Sequence, residues 1–542
     1  MRSPTANKIS ARLDGTYSCL MSSELHAGRT SRVAHVPSLD ERSSGVLLHP
    51  TSLPGPHGSG DLGAEARAFV DFLAAAGQRW WQMLPVAPPG YGESPYAAQS
   101  AFAGNPLLVS PDDLARDGFL DGASPAPALP EGPIDYAVMA QRRWALLDAV
   151  FDGWLTRPRE RDDYEHFCAA NAHWLEDYAL FRAIKDAHGG AQWTRWEPSL
   201  KRREPRALAL ARSTYARTIG REKLAQYLFD RQWRALREYA AAHGVGLIGD
   251  VPIFVAHDSA DVWQNPDGFF LGPEGEPTVV AGCPPDYFSR TGQRWGNPLY
   301  RWKRLAKTGH VWWIERFRSM LARFDALRID HFIGFVRYWR IPAECPTAVE
   351  GKWMKGPSAA FFETVRRALG PLPLIAEDLG AVTPAVFALR DQLGLPGIKI
   401  LQFAFGDDPS APTFVPHNFP RRAVVYTGTH DNDTTVGWFT DRGGGWSTRS
   451  FAQTEEERGA TLRYLGTSGD EIHWDMIRLA LASVANVAIA PLQDILGLGT
   501  VARMNRPGTE TGNWQWRFEP GALRAEHAER LRILTQTYGR VA

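Results

Sequence analysis

Three acidic residues stand where short apolar runs stop. Ala326-Leu327-Arg328-Ile329-Asp330-His331 finishes on Asp330, with Arg328 two residues earlier. Pro373-Leu374-Ile375-Ala376-Glu377-Asp378 delivers Glu377, and Val424-Val425-Tyr426-Thr427-Gly428-Thr429-His430-Asp431 leads to His430 and Asp431. Residues two apart in a strand share a face, so Arg328 lies beside Asp330, and a guanidinium there favours the ionised carboxylate. The apolar approach to Glu377 raises a carboxyl's pKa and keeps it protonated. An ionised acid beside a protonated one suits glycosidic chemistry: the first attacks the anomeric carbon and the second gives the leaving oxygen its proton, with the two about 5–5.5 Å apart when a covalent intermediate forms. Taken singly, a strand-end acid is more often a helix cap or an ion-pair member. Three of them on consecutive or nearly consecutive strands shift the balance.

Acids at strand ends need a scaffold that gathers those ends. From Gly45 the chain reads as short apolar runs alternating with helical stretches. The runs are Val46–His49, Arg79–Leu84, Gly246–Val251, Ala326–Asp330, Leu372–Glu377, Ile398–Phe403, Ala423–Thr427 and Val487–Ala490. Helical patterns such as Ala64–Ala76 and Trp312–Arg323 lie between them, which argues for parallel strands with crossover helices. Eight such units close a (β/α)8 TIM barrel, an α/β fold whose functional residues sit at the carboxyl ends of the strands. Two gaps exceed simple crossovers: about 87–245, charged and mostly helical, and about 252–310, rich in Gly, Pro and Trp. Both read as inserted, mainly helical subdomains or binding loops. Residues 1–43 lack periodicity and any signal-peptide core, and read as a disordered tail before a catalytic unit over 44–542.

Composition narrows the partner. Lys plus Arg equals Asp plus Glu, at 60 each over 542 residues, so no cationic field exists to hold nucleic acid or an anionic membrane. No apolar stretch approaches the length of a membrane span, Leu479 to Leu492 being broken by Ser483 and Asn486. Cys19, Cys168, Cys283 and Cys345 lie far apart with no C-x-x-C pair, which fits a reducing cytoplasm rather than a zinc site or a disulfide framework. The 20 Trp outnumber the 15 Tyr. Most are expected to pack cores and interfaces, although such rings also suit the apolar faces of sugars.

Two local patterns fail on context. Gly58-Ser59-Gly60-Asp61-Leu62-Gly63 matches G-x-G-x-x-G, but a proline-rich stretch separates it from the preceding strand and no acidic residue closes the next one, so a dinucleotide is not expected. Asp431-Asn432-Asp433 opens like a calcium loop, yet Val436 and Arg442 stand where glycine and glutamate are needed. No metal and no cofactor is expected.

At these residues the sequence resembles the 4-alpha-glucanotransferases known as amylomaltases or disproportionating enzymes, relatives of the alpha-amylases. The resemblance runs from about Ser43 to Phe518. It is carried by Ser44-Gly45-Val46-Leu47-Leu48-His49-Pro50-Thr51-Ser52-Leu53-Pro54, Glu93-Ser94-Pro95-Tyr96, Gly249-Asp250-Val251-Pro252-Ile253, Pro284-Pro285-Asp286-Tyr287-Phe288-Ser289, Gly292-Gln293-Arg294-Trp295-Gly296-Asn297-Pro298 and Arg503-Met504-Asn505-Arg506-Pro507-Gly508-Thr509. It implies transfer of alpha-1,4-glucan segments among maltooligosaccharides by a retaining double displacement. Asp330 would be the nucleophile, Glu377 the acid/base and Asp431 the stabiliser. Arg328 and His430 would bind the donor sugar, with Asp250, Ser94, Tyr96, Trp295 and Asn505 as further sugar-binding positions, and the Gly/Pro-rich loop Asp258–Gly275 would be a lid over the acceptor side. An alpha-glucan hydrolase of the same superfamily is the alternative, since only the attacking hydroxyl differs. A non-catalytic glucan-binding protein would be expected to lack one of the three acids.

Overall fold

Period-2 alternation sorts every barrel strand into an inward and an outward face, and that sorting builds the molecule. The computed structural model describes residues 36–120, 128–157, 160–285, 289–444 and 449–541. Its central element is a closed barrel of eight parallel strands: β1 (Ser43–Leu47), β2 (Trp80–Gln82), β3 (Gly246–Pro252), β4 (Ala326–Asp330), β5 (Leu374–Ala376), β6 (Gly397–Ile400), β7 (Ala423–Tyr426) and β8 (Val487–Pro491). Each pairs with its neighbours in chain order, and β8 closes on β1. All eight expected strands are present. The ends differ where local chemistry intervenes: Pro373 has no N–H to give a ladder, so β5 starts at Leu374, and Leu401–Phe403 turns into a 3-10 helix after β6.

Inward residues Leu47, Trp80, Ile248, Ala326, Ile375, Ile398, Val424, Tyr426, Val487 and Ile489 form the barrel interior. Trp80 fills its lower part only because β1 and β3 carry glycine beside it: a Cβ on Gly45 would lie 2.5 Å from the Trp80 Cβ, and one on Gly246 would lie 2.6 Å from its ring. Outward residues such as Val46, Trp81, Leu247, Leu327, Ile329 and Val425 pack into the larger core beneath the helices. Among these helices, Ala64–Ala75 leads into β2 and Val311–Arg323 into β4, close to their expected limits.

The first insertion is helical, with Tyr136–Thr156, Arg161–Ala170, Ala172–Ala187 and Pro205–Thr214 preceding the long Ala216–Ala242 helix that returns to β3. The second corrects the expectation of a mainly helical subdomain. Val279–Cys283 and Gln293–Pro298 join Arg337–Pro342 and Lys352–Lys355, from the β4–β5 connection, in a four-stranded antiparallel sheet. The glycines and prolines around these short strands hid their alternation. The Asp258–Gly275 segment is fastened to the helical insertion: Lys185 pairs with Asp258 at 2.5 Å, and Trp193 Nε1 donates to the His257 carbonyl at 2.8 Å.

The expected tail also needs correction at its end. Residues 1–35 lie outside the described residues, but Leu39 is buried and Ser43 already belongs to β1. The Arg42 guanidinium donates to the carbonyls of Tyr538 (2.9 Å), Ser483 (2.8 Å) and Leu481 (2.9 Å). Such long-range bonds to backbone leave no local pattern to read. Among the described residues no helix is long and apolar enough to cross a membrane.

Candidate active site

At the carboxyl ends of β3 and β4 the register sets Asp250 opposite Arg328 and Pro252 opposite Asp330. All three charged side chains occupy inward positions. The Arg328 guanidinium, almost wholly buried, spans the two acids: Nη1 donates to Asp250 Oδ2 at 2.6 Å and Nη2 to Asp330 Oδ1 at 3.0 Å. Burial alone would lower the Arg328 pKa, but the flanking carboxylates more than offset this and hold it well above its ordinary value. Tyr96 Oη donates to the same Asp250 oxygen at 2.7 Å. Asp250 therefore serves as the anchor of Arg328 and Tyr96 at the floor of the site.

Glu377 follows β5 and is gripped by backbone. Its Oε2 accepts the His331 N–H at 2.7 Å, and its Oε1 accepts the Leu379 N–H at 3.1 Å. Burial is the main influence on both acids. It pushes Glu377 up to about 8, opposed by Arg328 and reinforced by Asp330. Asp330 is pushed up to about 7, again by burial first, with Arg328 opposing and Asp250 and Asp431 reinforcing. At Asp330, burial therefore opposes the pull of the guanidinium toward the anion. Of the two acids, only Asp330 accepts a hydrogen bond from the Arg328 guanidinium. The two acids titrate as a pair, and the guanidinium contact favours the anion on Asp330.

Asp431 stands above β7 with its side chain 46% exposed, facing the open mouth. Its Oδ1 accepts from Asn505 Nδ2 at 2.7 Å and lies 3.4 Å from His430 Nε2. The backbone of this turn is pinned as well: Asn505 N–H donates to the His430 carbonyl at 3.1 Å, and Arg503 Nη2 to the Asp431 carbonyl at 2.6 Å. Burial lowers the His430 pKa and leaves the ring neutral.

Of the expected sugar-binding residues, the structure brings Asp250, Arg328, Tyr96, His430 and Asn505 into one network with Asp330 and Asp431. Tyr96 is already engaged on its ring: it stacks on His430 at 5.2 Å, 13° from parallel, and meets Trp514 at 5.8 Å. Ser94 Oγ accepts the Tyr96 N–H at 3.2 Å and so caps the turn that carries Tyr96. Trp295, on the strand Gln293–Pro298, stays 37% exposed and meets the His331 ring edge to face at 4.8 Å. Asp286, Tyr287 and Phe288 of the fourth matching segment lie outside the described residues.

Sequence reasoning gave no role to His49, His331, Arg503 or Trp514. His49 is buried, and desolvation pulls it down to about 3. It lines a pocket together with His430, Asn432, Gln493 and Arg503. The matching segments included His49 and Arg503, and His331 follows Asp330 directly, so position was the available signal. The two discounted patterns have structural uses. A Cβ on Gly60 would lie 2.1 Å from the Pro50 carbonyl oxygen, and one on Gly63 would lie 2.3 Å from Ser110 Oγ. Asn432 Oδ1 closes a turn by accepting the Thr429 N–H at 2.9 Å, and Thr500 Oγ1 donates to Asp433 Oδ2 at 2.9 Å.

Residues 48–523 match the family model described as 4-alpha-glucanotransferase. The chain is 50% identical over 510 residues to a 4-alpha-glucanotransferase of Thermus thermophilus, an alignment covering 92% of this chain and 99% of that one. It is 42% identical over 514 residues to the chloroplastic/amyloplastic 4-alpha-glucanotransferase of Solanum tuberosum, covering 93% and 87%. Among solved structures it is similar to an amylomaltase from Streptococcus agalactiae in complex with acarbose, with a TM-score of 0.88, 37% identity, and coverage of 93% of this chain and 100% of that one.

Proposed function

The chain belongs to the 4-alpha-glucanotransferase family, and from that premise we propose that Asp330, Glu377 and Asp431 perform the transfer of alpha-1,4-glucan segments between maltooligosaccharides. The observation that carries the assignment is the pairing of unequal acids on adjoining strands: Asp330 on the guanidinium of Arg328, and Glu377 on backbone N–H groups in a buried setting that favours its protonated form. Asp330 attacks the anomeric carbon of the donor while Glu377 passes its proton to the departing 4-oxygen. The bond between anomeric carbon and glycosidic oxygen breaks, and an ester to Asp330 forms. Glu377, now a carboxylate, takes the proton of an acceptor 4-hydroxyl as that oxygen attacks the same carbon. The ester breaks, Asp330 is restored as an anion, and two inversions give net retention.

Arg328 keeps Asp330 pointed at the ring from below. Asp431, half open to the mouth and oriented by Asn505, is placed to accept hydroxyl hydrogen bonds of the donor sugar. Such bonds strengthen as positive charge develops on the sugar. The buried, neutral His430 adds a ring nitrogen beside Asp431. The protein is read as one catalytic unit from residue 44 onward. A reducing cytoplasmic setting agrees with the lack of any disulfide joining Cys168, Cys283 and Cys345 among the described residues.

Incubation with maltotriose tests the reading. Transfer gives glucose and a ladder of longer oligosaccharides while the number of reducing ends stays nearly constant. A steady rise in reducing ends with no product longer than the substrate would identify a hydrolase instead.

A further inference from the structure

Glu377 is held by two peptide groups, and one of them belongs to the residue that immediately follows Asp330. His331 has φ 54° and ψ 50°, the left-handed conformation that few residues but Gly adopt and in which Asn, Asp and His are enriched among the rest. The turn is fixed on both sides. Gly334 N–H donates to the His331 carbonyl at 2.9 Å, Phe332 N–H to the Glu377 carbonyl at 3.1 Å, and Glu377 N–H to the Ile329 carbonyl at 3.1 Å. In this conformation the His331 N–H meets Glu377 Oε2 at 2.7 Å. The imidazole does separate work. It is buried, and it meets Trp295 edge to face at 4.8 Å, with planes 89° apart, and Phe254 at 6.4 Å.

We propose that His331 is a positioning residue with two arms: its left-handed peptide aims an N–H at the carboxyl of Glu377, and its ring braces the indole of Trp295. The inference rests on the acid/base role proposed for Glu377 and deepens it. A hydrogen bond to the carboxylate favours the anion and so limits how far burial can raise Glu377. The charged groups that face Glu377 are Arg328 and Asp330 from β4 and Asp378 from its own loop. The imidazole itself is kept neutral by burial. With the N–H withdrawn, those groups remain and Glu377 becomes harder to ionise.

The test compares His331→Val, whose branched side chain opposes the left-handed turn, with His331→Asn and His331→Gly, which accept it. Two donors are used: maltotriose, whose leaving oxygen needs the Glu377 proton, and alpha-maltosyl fluoride, whose fluoride leaves without one. In H331V, maltotriose transfer falls about tenfold or more while the first-turnover release of fluoride falls far less, and the alkaline limb of the maltotriose pH profile moves to higher pH. H331N and H331G restore the ratio of the two donors and return the limb toward its wild-type position. H331G still loses the ring, so its ratio of hydrolysis to transfer rises. If H331V does not fold, His331→Ala takes its place. A folded variant of either kind with the wild-type donor ratio and limb, or an H331G limb displaced as far as that of H331V, would overturn the first arm. An unchanged hydrolysis-to-transfer ratio in H331G would overturn the second. Glu377→Gln separates this from the parent reading: it should keep the fluoride burst and lose maltotriose cleavage, and equal treatment of both donors would discard the role of Glu377 itself.

Discussion

Asp250 Oδ2 lies 2.6 Å from Arg328 Nη1, in a contact where both side chains are almost completely out of water. A buried cation and its anion stabilise each other only as a pair, and removing one partner leaves the other uncompensated. Asp250→Asn should therefore cost more than a sugar contact. It should lower stability by roughly 2–4 kcal/mol, visible in thermal melts, and lower kcat by about a hundredfold as Arg328 loses its fixed position beneath Asp330. Calorimetry and maltotriose kinetics on the same preparation check both. A variant that loses affinity with kcat intact would instead show Asp250 to be a direct sugar contact.

Asp330→Asn and Glu377→Gln keep volume while removing the proposed nucleophile or the proposed proton donor. Each should reduce maltotriose transfer by about a thousandfold or more with the circular dichroism spectrum unchanged. Near-normal transfer by a folded variant would withdraw the role assigned to that residue.

The raised acids predict how stability depends on pH. Below about pH 4.5 Glu377 is protonated in both the folded and the unfolded chain, so it costs nothing. Between that point and about pH 8 the unfolded chain releases the proton while the folded site retains it. The folded state then binds more protons, and stability falls as pH rises. Glu377→Gln removes this burden. Its melting temperature should exceed that of the parent by a margin that grows from pH 5 to pH 8, by about a few degrees in all. A margin that is flat or shrinks across that range would contradict the buried, proton-retaining Glu377.

How much of this was legible in the chain depends on the range of the interactions. β4 is the clearest case: Leu327 and Ile329 turn outward and Ala326, Arg328 and Asp330 inward, and the strand runs over the expected Ala326–Asp330. Alternation is local, so sequence carries it. Tyr96 shows the opposite. The resemblance marks it as a sugar-binding position; its ring is stacked on His430, more than three hundred residues away, and nothing near position 96 announces that contact. The antiparallel sheet escaped notice because its strands come from two connections, with Arg337–Pro342 and Lys352–Lys355 lying beyond β4. His331 acts on Glu377 through a peptide N–H, which every residue but proline possesses, so its identity alone could not reveal the role. The left-handed turn that follows the strand end emerges only with the backbone.

Trp295 offers the sharpest test of how a sugar prevails over water as the attacking group. It is 37% exposed and held by an Nε1–H donated to Gln293 Oε1 at 3.0 Å, with its edge contact to His331 leaving indole surface open beside the nucleophile's neighbour. An acceptor ring stacked there buries apolar carbon and holds its hydroxyls near the glycosyl ester, raising their effective concentration above what diffusion supplies. Trp295→Ala removes the platform without touching Asp330 or Glu377. The ester should still form, but water should capture a larger share of it. Maltotriose would then yield more reducing ends and a shorter ladder, with hydrolysis rising relative to transfer by about tenfold. Added glucose should recover transfer only at concentrations well above those that suffice for the parent. A product ladder, reducing-end count and glucose dependence all equal to those of the parent would assign Trp295 to packing against Phe254 and His331, and would leave the acceptor to be held elsewhere on the mouth of the barrel.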